Sequence, residues 1–214
     1  MRYPLIFLFT TLVLASCTLP KPTMENFEGK FVYYIESDSE FYQLNKKDSS
    51  SYQIVYAKDS MLRIENFTPI GKQVYVKHIP RNKAYILMDV GEKIAIQTIP
   101  DTIVDDGYSF ERKSGKVEIA GIMANNISVI DHELDTTITM NYYPKISPKY
   151  SSALNNMPGL PVKYKLFVDN SWLTYTLISL EEKEIDINMF GIPSDYTIIT
   201  FDEFIEHIEK GEEE

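Results

Sequence analysis

The side chains best suited to chemistry are few and far apart. One thiol, Cys17, and three imidazoles, His78, His132 and His207, occur in 214 residues. A zinc centre needs several histidine, cysteine or carboxylate ligands converging, often at tight spacing. Asp131-His132-Glu133 with Asp135 is the one dense run of such groups, and it reads as a solvated turn. Glu203 and His207 stand four apart on a helical pattern and read as a surface pair. Asp105-Asp106-Gly107 with Glu111 lacks the alternating Asp or Asn ligands of a calcium loop, so it reads as a turn. There is no G-x-S-x-G elbow, no phosphate-cradling glycine loop and no H-E-x-x-H. These residues predict no enzyme, no metal site and no cofactor.

The thiol carries more information through its position. Met1-Arg2-Tyr3 is a short basic start, Pro4–Ala15 is apolar apart from Thr10 and Thr11, and small residues follow. A basic start, an apolar run of about 7–15 residues and small residues at the end make a secretory signal. A membrane span needs about 20 apolar residues, so this run is too short to remain as one. Leu14-Ala15-Ser16-Cys17 resembles a bacterial lipobox, in which the cysteine thiol receives a diacylglycerol before cleavage. The resemblance implies residues 1–16 as a leader, Cys17 as a lipidated N-terminus and residues 17–26, with Pro20 and Pro22, as a tether. One acyl chain holds a protein only marginally, whereas two or more anchor it stably. Cys17 would then be the membrane contact, and no thiol is left for a disulfide.

The formal charge of −10 becomes −11 once Arg2 is removed, and an acidic chain repels nucleic acid. An apolar content of 44% is that of a globular chain rather than a disordered one. Residues 27–210 are expected to form one domain, and residues 211–214 a solvated acidic tail.

From Lys30 onward the apolar period is two. Phe31, Tyr33 and Ile35 lead; Ile54 and Tyr56, Leu62 and Ile64, Val74 and Val76, Ile86 and Met88, and Ile94 and Ile96 follow. Ile138, Met140 and Tyr142 repeat the pattern, then Val162, Tyr164, Leu166 and Val168, and Trp172–Leu180 is a further β-rich run. Such alternation marks strands with one dry face and one wet face. Short turn stretches between them (DS, TPIG, PRNK, DVGEK, RKSGK, VDNSW) favour antiparallel hairpins. Helical signal is scarce and strongest over Thr200–Gly211, opened by a Thr200…Glu203 capping box, with Phe201, Phe204, Ile205 and Ile208 forming a stripe that is expected to lie on the sheet. A further short helical turn is expected within SPKYSSALNNMPG. The fold class is mainly β: a curled antiparallel sheet, half-barrel or barrel, with a C-terminal helix and few others.

Three stretches carry a family resemblance. They are Phe27-Glu28-Gly29-Lys30; Ser114-Gly115-Lys116 with Ile119-Ala120-Gly121; and Met157-Pro158-Gly159-Leu160-Pro161 followed by Phe190-Gly191-Ile192-Pro193-Ser194-Asp195-Tyr196. In order and spacing they are similar to an envelope-protein family of Bacteroidetes related to the GLPGLI proteins. Where that family has an aromatic–cysteine pair, this chain has Met123-Ala124. Such proteins resemble the lipoprotein carriers of the LolA, LolB and LppX type, unclosed barrels with helices plugging an apolar cavity. The resemblance implies binding of acyl chains or other apolar ligands, and no catalytic residues.

Two functions stay open. One is a periplasm-facing lipoprotein of the bacterial outer membrane, anchored through Cys17, that binds lipid or another apolar ligand. The other is a structural or interaction lipoprotein of the envelope with no small-molecule ligand, its protein partner unidentified. For the first, the dry faces must point inward, which nominates Val74, Val76, Ile86, Met88, Ile138, Met140, Tyr164 and Leu166 as ligand-binding, with Lys77, Thr139 and Lys165 facing water. Met61, Met88, Met123, Met140, Met157 and Met189 are core fillers whose flexible thioethers also suit a variable apolar ligand.

Overall fold

In the computed structural model the described residues are 26–38, 52–68, 71–89, 91–98 and 107–211. The leader, Cys17, residues 17–25 of the tether, Asp105-Asp106 and residues 212–214 lie outside them.

The period-two runs become twelve strands. They are β1 (Glu28–Ser37), β2 (Tyr52–Lys58), β3 (Met61–Thr68), β4 (Gly71–His78), β5 (Lys83–Asp89), β6 (Lys93–Thr98), β7 (Tyr108–Ile119), β8 (Ile122–Asp131), β9 (Thr136–Tyr143), β10 (Leu160–Val168), β11 (Ser171–Glu182) and β12 (Thr197–Thr200). One helix, α1 (Phe201–Gly211), follows. β1 to β6 form one meander and β7 to β11 a second. Pairing of β1 with β11 fuses them into one sheet, in the order β12-β6-β5-β4-β3-β2-β1-β11-β10-β9-β8-β7. Every neighbour is antiparallel except β12, which runs parallel to β6. Among the described residues β7 and β12 remain edges, so the sheet is a curled open one and not a closed barrel. Arg112, Lys113 and Lys116 charge one edge, and the other strand is only four residues long; both devices discourage edge-to-edge pairing.

Turn chemistry explains the hairpins. Ala120-Gly121 and Asp169-Asn170 both have positive φ at their two central residues, the twist-matched geometry of a two-residue hairpin. RKSGK, expected to be a turn, lies inside β7. The register shifts between Arg112 and Lys116, with Gly115 at φ +93°, so the stretch is a bulge that kinks a strand without ending it.

The larger core lies on the face here called inner. It holds Phe31, Tyr33, Val55, Leu62, Ile64, Ile127, Met140, Tyr164 and Leu177, and it is covered by the chain between β9 and β10. That covering segment sinks Ile146, Tyr150, Ala153, Leu154 and Met157 into the core, with a short 3-10 turn at Pro148–Tyr150 where a helical turn was expected. A continuous aromatic path runs through it. Tyr150–Phe27, Phe27–Phe31, Phe31–Tyr33, Tyr33–Tyr164 and Tyr164–Tyr175 have ring centroids 6.0, 5.3, 6.3, 5.8 and 4.8 Å apart. Such pairs add about 0.5–1.5 kcal/mol each beyond the area they bury. The Tyr150 hydroxyl accepts from Phe27 N (3.2 Å) and donates to Asp59 O (2.5 Å), and the Tyr33 hydroxyl donates to Pro161 O (2.7 Å). A Cβ at Gly29 would collide with the backbone oxygen of Glu181, and one at Gly159 with that of Tyr143. The glycines of the FEGK and MPGLP stretches are therefore places where two backbones touch.

The helix departs from expectation in one respect. Its capping box forms in full, Glu203 N donating to Thr200 Oγ1 (3.2 Å) and Thr200 N to Glu203 Oε2 (2.6 Å). But α1 sits at the sheet edge beside β12 and β6, leaving Phe201 (56%) and Ile205 (39%) exposed rather than laid on the sheet. The segment between β9 and β10 already occupies the inner face, so the helix finds no apolar surface left there.

Candidate functional site

The outer face of β1 to β6 carries a strap, residues 183–196, that leaves β11 and crosses toward β12. Its own 3-10 turn, Ile187–Phe190, is nucleated by the Asp186 side chain, which accepts from Asn188 N (2.9 Å). Ile185 and Phe190 are buried by the strap, with Met189, Ile192 and Tyr196 half-buried, all against Val74, Val76, Leu87 and Ala95 of the sheet.

Polar contacts fix the strap one strand at a time. On β1, Glu28 Oε1 accepts from Ile185 N (2.7 Å) and from Lys58 Nζ of β2 (2.7 Å), which also donates to Ile185 O (2.9 Å). On β3, Arg63 Nη1 donates to Met189 O (3.0 Å) while its Nε donates to Glu65 (2.8 Å). Lys72 of β4 completes the Glu65 pair at 2.8 Å. His78 Nε2 lies 2.9 Å from Phe190 O, and because a carbonyl only accepts, Nε2 carries the hydrogen. Lys93 on β6 pairs with Asp195 at 2.7 Å. The Lys58 hydrogen bond, aided by Ile185 N, holds Glu28 below the usual carboxylate range. Burial pushes Glu65 upward, but hydrogen bonds from Lys72 and Arg63 outweigh it and leave that carboxyl lowered too.

Beside the strap opens a cleft of about 930 Å³. The β2–β3 turn supplies Asp59, Ser60 and Met61; the end of β4 and the turn after it supply His78, Pro80 and Arg81; Ile187, Phe190, Ile192 and Pro193 of the strap close the other side. The two turns are locked together by Ile79 N donating to Ser60 O (3.0 Å). Asp59 and Asn82 adopt positive φ, +52° and +46°, which their short polar side chains tolerate.

The eight nominated residues do not share a face. Ile138, Met140, Tyr164 and Leu166 belong to the inner core. Ile86 pairs with Tyr75, which packs on that core, so Ile86 and Met88 point inward as well. Val74 and Val76 point outward and are buried under the strap. Lys77, expected to face water, stands opposite Leu62 on the inner side and is half-buried, whereas Thr139 and Lys165 are exposed. Alternation on β4 reported two kinds of residue but not which side was which, because both of its faces are covered. None of the eight lines the cleft. Of the residues that do, the sequence marks His78 only as an isolated imidazole and Met61 only as a core filler. The sequence signals were a basic residue beside proline in PRNK and the non-alternating run FGIPSDY.

His132 lies near Ser109, Nε2 to Oγ 2.5 Å, in a turn whose Asp131 carboxylate accepts from the backbone N–H of Glu133 and Leu134, each at 3.0 Å. Among the described residues no three histidine, cysteine or acidic side chains converge as a metal site, and no helix is long and apolar enough to cross a membrane.

Comparison with known proteins gives likeness of fold alone. No protein-family model and no curated protein matches the sequence. Among solved structures, PNGF-II in the P21 space group is similar over 86% of this chain at 14% identity, with a TM-score of 0.54. PNGF-II in the C2 space group also covers 86% of this chain at 14% identity, with a TM-score of 0.47. The chain spans about a third of PNGF-II, 34% and 33% in the two structures.

Proposed function

We propose that this chain is an outer-membrane lipoprotein, acylated at Cys17 and facing the periplasm, whose sheet presents a binding site for lipid or another apolar ligand. The order of basic start, apolar run, small residues and cysteine supports the anchor. The observation that carries the ligand reading is the cleft. Its 930 Å³ falls within the range of about 300–1,000 Å³ usual for small-molecule sites, and Met61, Pro80, Ile187, Phe190, Ile192 and Pro193 give it apolar walls. The inner face is the weaker candidate, because Met140 and Tyr164 are already buried among their own neighbours there.

A second reading is a structural or interaction lipoprotein, favoured by that filled inner face. Solvent extraction of protein purified from its own membranes separates the two. Co-purified lipid in wild type, absent from Met61→Asp, supports the binding module. A wild-type chain carrying none leaves the structural reading. Mass spectrometry should find acyl groups on an N-terminal Cys17, and Cys17→Ser should release the chain from membranes. Protease shaving of intact cells that removed the domain would place it on the cell surface instead.

A further inference from the structure

The cleft is not uniformly apolar, and the one cation of its lining that is free among the described residues narrows the ligand. The basic residues that fasten the strap are all engaged: Lys58 with Glu28, Arg63 with Glu65, Lys93 with Asp195. Arg81 is different. It lines the cleft at an exposed turn, and among the described residues it has no ion pair and no hydrogen-bond partner. His78 is committed through Nε2 to Phe190 O, so a neutral ring has only an acceptor left to offer a ligand. Asp59, the one carboxylate among the described lining residues, is exposed and adjoins Lys58, whose charge it favours.

Apolar walls with one unpaired guanidinium complement an amphiphile. A tail would cover Met61, Ile187 and Ile192, the middle one 52% exposed and otherwise left in water. A planar guanidinium fits a planar carboxylate in a two-point fork. A phosphomonoester, with nearly two charges, would want a second free cation, and among the described residues the lining offers none. Resting on the binding reading above, we propose that the ligand is a carboxylate-headed amphiphile of the fatty-acid kind, its head on Arg81 and its tail between the strap and the β2–β3 turn.

The test uses the full mature chain carrying Cys17→Ser, so that neither its own acyl groups nor detergent compete. Dodecanoate, dodecyl phosphate and dodecanol are titrated calorimetrically. Dodecanoate should bind about tenfold tighter than dodecanol, the scale of one charge-assisted hydrogen-bonded pair. Arg81→Gln should erase that preference, and Met61→Asp should weaken all three probes. Equal binding of acid and alcohol to wild type, or an acid preference that survives Arg81→Gln, overturns the head-group assignment while the binding module stands. Tighter binding of dodecyl phosphate overturns the carboxylate. If no probe binds wild type, the inference and the reading beneath it fall together.

Discussion

The two faces of one sheet are held shut by different physics. On the inner face the segment between β9 and β10 is fastened chiefly by burial: Tyr150 and Leu154 share one core with Phe27, Phe31 and Leu62, and the Tyr150 hydroxyl adds bonds to Phe27 N and Asp59 O. On the outer face the strap buries fewer apolar groups and is tied by side chains reaching from β1, β2, β3, β4 and β6 to it. Burial is non-directional and fills space. Hydrogen bonds fix positions, can hold a segment off the sheet, and leave a gap beside it.

The first consequence is a difference in cost. Phe31→Ala removes a fully buried ring from the middle of the aromatic path, and should lower unfolding free energy by about 3–5 kcal/mol in urea titrations. On the outer face Arg63→Met keeps the volume but strips Glu65 and the Met189 carbonyl of a donor each. Leaving a buried polar group poorly satisfied costs about 1–3 kcal/mol. If Arg63→Met cost as much as Phe31→Ala, the distinction between a packed face and a tied one would fail.

How much of this was legible follows the same division. Strands, antiparallel pairing and the capping box follow from period-two alternation, short turns and Thr200…Glu203, all of which act over a few neighbouring residues. Alternation puts Ile138, Met140, Tyr164 and Leu166 on one face because their outward neighbours, such as Thr139 and Lys165, meet water. Alternation alone does not show that Val74 and Val76 face the other side, because the strap that dries them lies more than a hundred residues further on. The bulge in RKSGK was hidden for a related reason: a glycine with positive φ serves a turn or a kink equally well, and only the partner strand decides. Cleft residues such as Arg81 and Ile187 meet through the fold alone, and no local pattern joins them.

Acid should separate the two faces next. Glu28 and Glu65 are lowered by their basic partners, and so is Asp195 by Lys93. A lowered folded-state pKa gives stability that is complete above the ordinary carboxylate range and is lost as pH falls through the folded value. Below about pH 4 the strap's ties should therefore weaken while the inner core, which rests on apolar contact, persists. Hydrogen exchange at Ile185 and Met189 should accelerate on acidification before that at Phe31 or Met140. Simultaneous loss of protection at all four would mean that the strap and the core open as one unit.

The smallest effect should come from the outermost tie. Lys93 and Asp195 make a short pair, 2.7 Å, but both side chains are about half exposed, so water screens the attraction and immobilising two chain ends offsets part of it. Their pairing still favours both charged forms: Lys93 is raised, Asp195 lowered. Lys93→Ala should therefore hardly move the urea midpoint, yet it should speed exchange locally around Tyr196 and β12. Among the described residues that strand has little else to hold it, since it is four residues long, lies at the sheet edge and pairs only with β6. A midpoint shift as large as that of Arg63→Met would show that the far end of the strap contributes to global stability and does not merely position β12.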